Sequence, residues 1–124
     1  MSDERSYQQV LVTDTCDVWV IRWPPGSSVG LHDHDEASAV ITVLEGELTE
    51  VRFDRRPLRL EVGESVTVEA GVVHDVVNTS STWATSVHLY SPPLGSMNFY
   101  EVLDEAGVLG RRVEPAGVGH HVDA

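Results

Sequence analysis

Cysteine is nearly absent from this chain: of 124 residues, only Cys16 carries a thiol. One thiol makes no internal disulfide and rules out a four-cysteine zinc site, so a reducing compartment, the cytoplasm, is expected. Positive charge is scarce as well. Eight Lys and Arg stand against 20 Asp and Glu, a formal net charge of -12, and no basic cluster offsets it. Such a surface repels phosphate backbones, so nucleic acid is not an expected partner. No apolar run approaches the roughly 20 residues of a membrane span, so no membrane association is expected. The polar opening MSDERSYQQV lacks the apolar stretch of a secretory leader. Repeats, low-complexity tracts and linkers are also missing. The chain reads as one domain over 1–124, with 114–124 a flexible tail.

What is present is β-structure and histidine. The 41% hydrophobic content suffices for one core, and its periodicity is that of strands. Asp17 to Trp23 reads as a strand halted at Pro24-Pro25-Gly26, with Trp19, Ile21 and Trp23 opposite Val18, Val20 and Arg22. Val40 to Leu44 is a continuous apolar run, expected to be buried on both faces. Further strands are expected at Leu48–Phe53, around Leu58–Val62 and Val66–Val68, then at Val72–Val77 and Thr85–Tyr90. A last hairpin would pair Met97–Leu103 with Val108–Val113. Gln9 falls in an N-terminal strand, and Cys16 reads as a small core or strand residue. Short strands punctuated by Gly and Pro every 8–12 residues or so indicate an all-β sandwich or small barrel, and a barrel closes its own edges.

His32 and His34 lie two apart, so in an extended segment they share a face with α-carbons about 6.5–7 Å apart. Two such imidazoles can meet on one metal ion; an isolated His-x-His can equally be polar loop. His74, opening another extended run after Gly71, could complete a triad from a neighbouring strand. Imidazole ligands accept iron, zinc, copper or nickel, so spacing does not name the metal.

These residues resemble the two motifs of the cupin superfamily. Gly26, His32, His34 and Gly46 fit the first motif, with Ala39 where a Glu is usual. Gly63, Gly71, His74 and Asn78 fit the second, with Glu69 in place of a proline, and sixteen residues separate the two. The resemblance implies a small single-domain cupin, a double-stranded β-helix or jelly-roll barrel. It also implies a site of three neutral imidazoles without a carboxylate, because Asp35 and Glu36 are out of register and read as surface charges.

Ser86, His88 and Tyr90 alternate along one strand and so share a face. That face either points to solvent or, if inside a barrel, must be hydrogen-bonded. Followed by Ser91-Pro92-Pro93, the run is similar to the Ser-His-Tyr relay of the cysteine dioxygenase-like thiol dioxygenases. Trp23, Gly26-Ser27-Ser28 and His32-Asp33-His34 echo the same family, and the likeness runs from about Tyr7 to Pro93. The resemblance implies ferrous iron, one per chain, on His32, His34 and His74. It further implies Tyr90 directed at substrate and dioxygen by His88 and Ser86, and both oxygen atoms passed to a thiol sulfur to give a sulfinate. Ala39 stands where relatives carry Cys or a small residue, so the Cys–Tyr cross-link of some relatives cannot form.

Members acting on cysteine carry Tyr-x-Arg near the N-terminus, whose Arg pairs with the substrate carboxylate. Here the segment is Tyr7-Gln8-Gln9, and Gln9 offers a neutral amide instead of a charged fork. Bacterial relatives with Gln at this place prefer thiols lacking the amino group, 3-mercaptopropionate being the usual example, so Tyr7 and Gln9 are the expected substrate-binding residues. Gln9 as plain surface, and Arg22 or Arg111-Arg112 as other anion partners, remain open. The expected partners are thus a small-molecule thiol and dioxygen, acting on a monomer or homodimer. The competing readings are another metallocupin enzyme on a small acid and a non-catalytic small-molecule-binding cupin.

Overall fold

A computed structural model describes residues 4–102 and, as a strand, 109–115. Its elements are eleven strands: β1 (Ser6–Val12), β2 (Asp17–Trp23), β3 (His32–Asp33), β4 (Ser38–Glu45), β5 (Glu47–Arg52), β6 (Arg55–Glu61), β7 (Ser65–Val68), β8 (His74–Val77), β9 (Ala84–Ser91), β10 (Ser96–Val102) and β11 (Leu109–Pro115). Among the described residues no helix is long and apolar enough to cross a membrane. The strands form a five-stranded sheet in the order β1-β2-β9-β4-β7 and a six-stranded sheet in the order β11-β10-β3-β8-β5-β6. Every pairing is antiparallel. One buried cluster joins the inner faces of both, from Trp19, Ile21, Ile41 and Val68 on the first sheet to Leu48, Val76, Met97 and Phe99 on the second.

Alternation decides which residues fill that core. On β2 the faces resolve in favour of Trp19, Ile21 and Trp23, which are buried, while Arg22 points outward to an ion pair with Glu45 at 3.8 Å and lies over the Trp83 ring. Arg22 is therefore no anion partner inside the barrel. The apolar run of β4 is a correction: Ala39, Ile41 and Val43 are buried, whereas Val40 and Leu44 are 38% and 51% exposed. The reason is that β4 belongs to a sheet covered on one side only. Cys16 lies in neither core nor strand but in the β1–β2 turn, half-buried, where Thr13 and Cys16 exchange hydrogen bonds. The last hairpin forms from β10 and β11; its turn, the side chains of Arg111 and Arg112, and residues 116–124 lie outside the described residues, while the expected tail overlaps the end of β11.

Two contacts hold the site-bearing loops in place. Gly46 turns β4 into β5 at φ +74°, and a β-carbon there would meet the Trp83 carbonyl at 2.5 Å, so only glycine fits. Asn78, buried at the end of β8, donates through Nδ2 to the carbonyls of Trp23 at 3.1 Å and Thr82 at 2.8 Å. Its backbone also exchanges hydrogen bonds with Gly26 and Ser27. The segment leading to His32 is thereby stitched to the strand that begins with His74.

Candidate metal centre

β3 and β8 pair at a single register point, His32 opposite His74, and His34 follows β3 directly. The three histidines are buried, and their ligand atoms lie within 4.8 Å of one another. The Nε2 atoms of His32 and His34 are 3.2 Å apart, and those of His74 and His34 are 3.4 Å apart. The Nδ1 of His32 sits 2.7 Å from the Gly30 carbonyl, and the Nδ1 of His74 sits 2.8 Å from Glu50 Oε2. Neither oxygen can donate, so both Nδ1 atoms carry the hydrogen, and in the metal-binding, neutral form of these rings each Nε2 would present a lone pair. His34 can donate to one of them at most. Lone pairs facing each other in a buried site are unfavourable unless a cation takes them. Nitrogen ligands roughly 2.0–2.1 Å from an ion at tetrahedral angles stand roughly 3.3 Å apart, as the His32–His34 and His34–His74 pairs do, so the donor set fits a metal ion. Ala39, inward-facing, adds no ligand.

Glu50 is the site residue that motif reading missed. It alternates with Leu48 on the inner face of β5 and is 1% exposed. Its Oε1 accepts from Arg52 Nε at 2.9 Å and from Arg55 Nη2, while Oε2 holds His74. Burial alone would raise its pKa, yet hydrogen bonds from His74, Arg52 and Arg55 outweigh it and hold the carboxyl down at about 2. The carboxylate thus fixes the His74 tautomer from outside the ligand set. The signal available in sequence was one acidic residue at an inward position of an alternating strand.

The second constellation also points inward. Ser86, His88 and Tyr90 are all buried on β9, which pairs with β2 and β4 and runs through the middle of its sheet. Trp23 Nε1 donates to Ser86 Oγ at 2.9 Å, Ser86 Oγ lies 2.7 Å from His88 Nε2, and His88 Nδ1 lies 3.3 Å from the Tyr90 hydroxyl. Trp23 only donates. Ser86 accepts there and gives its own hydrogen to His88 Nε2, so Nδ1 is the protonated nitrogen facing Tyr90. The Tyr90 ring meets the His34 ring edge-on, centroids 5.1 Å apart, which joins the relay to the histidine trio. Burial, then the Asp17 charge, pushes the Tyr90 pKa well above that of an ordinary phenol, with Arg5 opposing. Tyr90 therefore stays a neutral donor at physiological pH. Ala39 is the direct cross-strand partner of Tyr90.

Of the expected substrate residues, Tyr7 is buried on β1, whereas Gln9 is exposed and donates to Asp17 Oδ2 at 3.4 Å. Asp35 and Glu36 are exposed, as expected. Asp33 is not: it faces away from the histidines and accepts from Tyr100 Oη at 2.6 Å and Asn98 Nδ2 at 2.7 Å, tying β3 to β10.

Comparison with known proteins agrees with this geometry. Residues 2–102 match the family model of cysteine dioxygenase type I. Cysteine dioxygenase type 1 of Danio rerio is 29% identical over 116 residues, 80% of this chain and 58% of its own length. The enzyme of Rattus norvegicus is 28% identical over 99 residues, 68% of this chain and 49% of its own. The chain thus spans about half the length of the curated relatives it matches. Among solved structures, a double-stranded β-helix protein from Klebsiella pneumoniae superposes with TM-score 0.67 at 21% identity, covering 92% of this chain and 87% of that one. A cupin domain from Bordetella pertussis gives 0.61 at 24%, covering 73% and 96%. The fold is the cupin double-stranded β-helix.

Proposed function

The chain belongs to the cysteine dioxygenase type I family, and we propose that it is an iron-dependent thiol dioxygenase acting on a small thiol carboxylate in the cytoplasm. The observation that supports this most is the joining of two arrangements, the three-imidazole cluster and the Trp23–Ser86–His88–Tyr90 chain, at the His34–Tyr90 ring contact. The reaction is RSH + O2 → RSO2H: two S–O bonds form, the O–O bond breaks, and no further reductant is needed. His32, His34 and His74 would hold one Fe(II), which when bound supplies the redox chemistry that lets ground-state dioxygen react with a thiolate.

The protein's own residues set the stage for that chemistry. Three neutral ligands leave the ion's positive charge uncompensated, which favours an anionic thiolate and lowers the thiol pKa. Tyr90, neutral and held by His88, donates its hydroxyl hydrogen toward the reacting sulfur and oxygen atoms. Ser86 and Trp23 fix the His88 ring, so the Tyr90 hydroxyl is aimed before substrate arrives. Tyr7 is buried on the edge strand β1, with β2 between it and β9, and Gln9 on the same strand would be a neutral contact for the substrate. Leu94, Met97 and Phe99 supply an apolar wall that limits water.

The test is oxygen uptake by the ferrous protein with a panel of thiols, with sulfinate detected by mass. We expect uptake with 3-mercaptopropionate or cysteine and a loss of about 10²-fold in kcat/KM for Tyr90→Phe. Full activity in that variant would remove the relay from the mechanism. Turnover only with zinc or nickel would favour a different metallocupin reaction, and ligand binding without turnover would favour a binding protein.

A further inference from the structure

The run His32-Asp33-His34-Asp35 alternates, so one short segment presents two faces. Its histidines gather inside the barrel, and its aspartates meet side chains of β10. β3 is only two residues long; it pairs with β10 at His32–Phe99 and Asp33–Asn98 and with β8 at His32–His74. His34 lies past that ladder, so strand pairing does not reach it. On β10, Ser96, Asn98 and Tyr100 alternate with Met97 and Phe99, which pack in the core. Tyr100 Oη donates to Asp33 Oδ2 at 2.6 Å, and Asn98 Nδ2 donates to Asp33 Oδ1 at 2.7 Å. Asn98 Nδ2 also reaches Asp35 Oδ1 at 3.4 Å, and Ser96 Oγ donates to Asp35 Oδ2 at 3.0 Å. Asp33 Oδ1 accepts the Asp35 amide at 2.8 Å, closing a turn in which Asp35 is the one non-glycine residue at positive φ, +56°, among the described residues. A residue with a β-carbon keeps that conformation only where its surroundings over-determine it. Asn98 is 5% exposed, and its Oδ1 accepts nothing among the described residues. A buried acceptor left unpaired is unfavourable, so this amide serves through its donor end.

We propose that Asp33 is a positioning residue for the metal: its carboxylate, gripped by Tyr100, Asn98 and the Asp35 amide, sets the spacing of His32 and His34 before an ion arrives. The inference rests on the metal-centre reading alone, whatever reaction the centre serves. Asp33 is the link between the two histidines in the chain, so a change in its backbone angles swings one imidazole relative to the other. Their Nε2 atoms stand 3.2 Å apart, near the separation that two ligands of one ion require. The Gly30 carbonyl and Glu50 act differently, each on the ring of a single histidine, His32 and His74. Asp33 acts on the chain that joins two of the ligands. It does so from outside the ligand set, as partners of metal ligands commonly do. Both of its oxygens are engaged, one by Tyr100 and the other by Asn98 and the Asp35 amide, so the side chain is held in one orientation.

The experiment titrates wild type, Asp33→Ala, Asp33→Asn, Tyr100→Phe and Glu36→Gln with cobalt(II), reading affinity by chelator competition and ligand geometry by the visible absorption of the bound ion. Asp33→Ala is expected to weaken cobalt about tenfold or more and to change the position or intensity of that absorption. Asp33→Asn keeps the shape and an acceptor for Asn98 and the Asp35 amide, so it should recover much of both. Tyr100→Phe should weaken binding by a smaller factor. Glu36→Gln removes a charge from an exposed acid of the same segment and should bind as wild type does. Equal losses in Asp33→Ala, Asp33→Asn and Glu36→Gln would make the effect one of charge and overturn the proposal. Wild-type affinity and absorption in Asp33→Ala would overturn it too, even with lowered stability. If Asp33→Ala does not fold, Tyr100→Phe decides, and wild-type binding in that variant rejects the positioning role. A wild type that binds no cobalt removes the metal centre and the proposal together. Asp33-dependent binding without oxygen uptake by the ferrous form removes the dioxygenase and keeps the positioning role; normal uptake with Asp33-independent binding does the reverse.

Discussion

Glu50 and Tyr90 are two buried acids held in opposite protonation states by what surrounds them. Glu50 is kept ionised by three donors, and its charge matters to His74 as much as its shape does. Glu50→Gln keeps an oxygen for His74 but leaves Arg52 and Arg55 facing a neutral amide. We expect zinc and Fe(II) affinity to fall about 10–100-fold, measured by competition with a chromophoric chelator; unchanged affinity would mean that Glu50 serves the fold alone. Tyr90 is kept neutral. Its folded pKa lies above that of the unfolded chain, so its neutral form adds stability below about pH 10 that is lost as pH rises past that value. Tyr90→Phe should flatten this alkaline loss in denaturant titrations at successive pH values; an alkaline limb identical to wild type would contradict it. The pairing of His32 with His34 and the inward alignment of Ser86, His88 and Tyr90 were legible because that information is local, His-x-His and Ser-x-His-x-Tyr fitting a period of two. Glu50 was not, because what makes it notable is a partner far along the chain: His74 is 24 residues from it.

At the level of elements, turn chemistry and alternation located most strands, and the misreading of β4 has a physical cause. β2 has the bounds expected of it, and β9 extends its expected run by one residue at each end. Val40 to Leu44 of β4 was expected to be buried on both faces because the run is almost wholly apolar, but its partners β9 and β7 flank it edge-on and, among the described residues, its outer positions Val40 and Leu44 stay exposed. Apolar composition cannot distinguish a strand inside two layers from one in a sheet with one wet face. Glycine positions are more informative once space is considered. Gly46, Gly30 and Gly63 all have positive φ, but only at Gly46 would a β-carbon strike backbone, whereas nothing lies within 4 Å at the other two. Gly46→Ala should therefore destabilise the protein by more than about 1 kcal/mol, and by clearly more than Gly30→Ala or Gly63→Ala, in chemical denaturation. Equal effects at the three positions would show that backbone strain, not the Trp83 carbonyl, sets the requirement.

For the molecule as a whole, the three histidines come from two segments, residues 32–34 and 74, that meet only at one register pair. A cation bound there ties the β3 region to β8 and stabilises the native state alone, because the unfolded chain does not hold the ligands together. At a free metal concentration 100 times Kd the gain is about 2.7 kcal/mol, which in a domain of about 100 residues raises Tm by about 10 °C. The same molecule carries a formal charge of -12, so any divalent ion also collects on its surface, and stabilisation by itself does not locate the site. Ligand chemistry does. Magnesium prefers oxygen donors and should leave the chelator-treated protein within a degree or two of its starting Tm, whereas Fe(II) or zinc should raise it. His74→Ala should abolish that rise while keeping the small response to magnesium. A zinc-induced rise that survives in His74→Ala would assign the binding to surface carboxylates and remove the metal centre from the interior of the barrel.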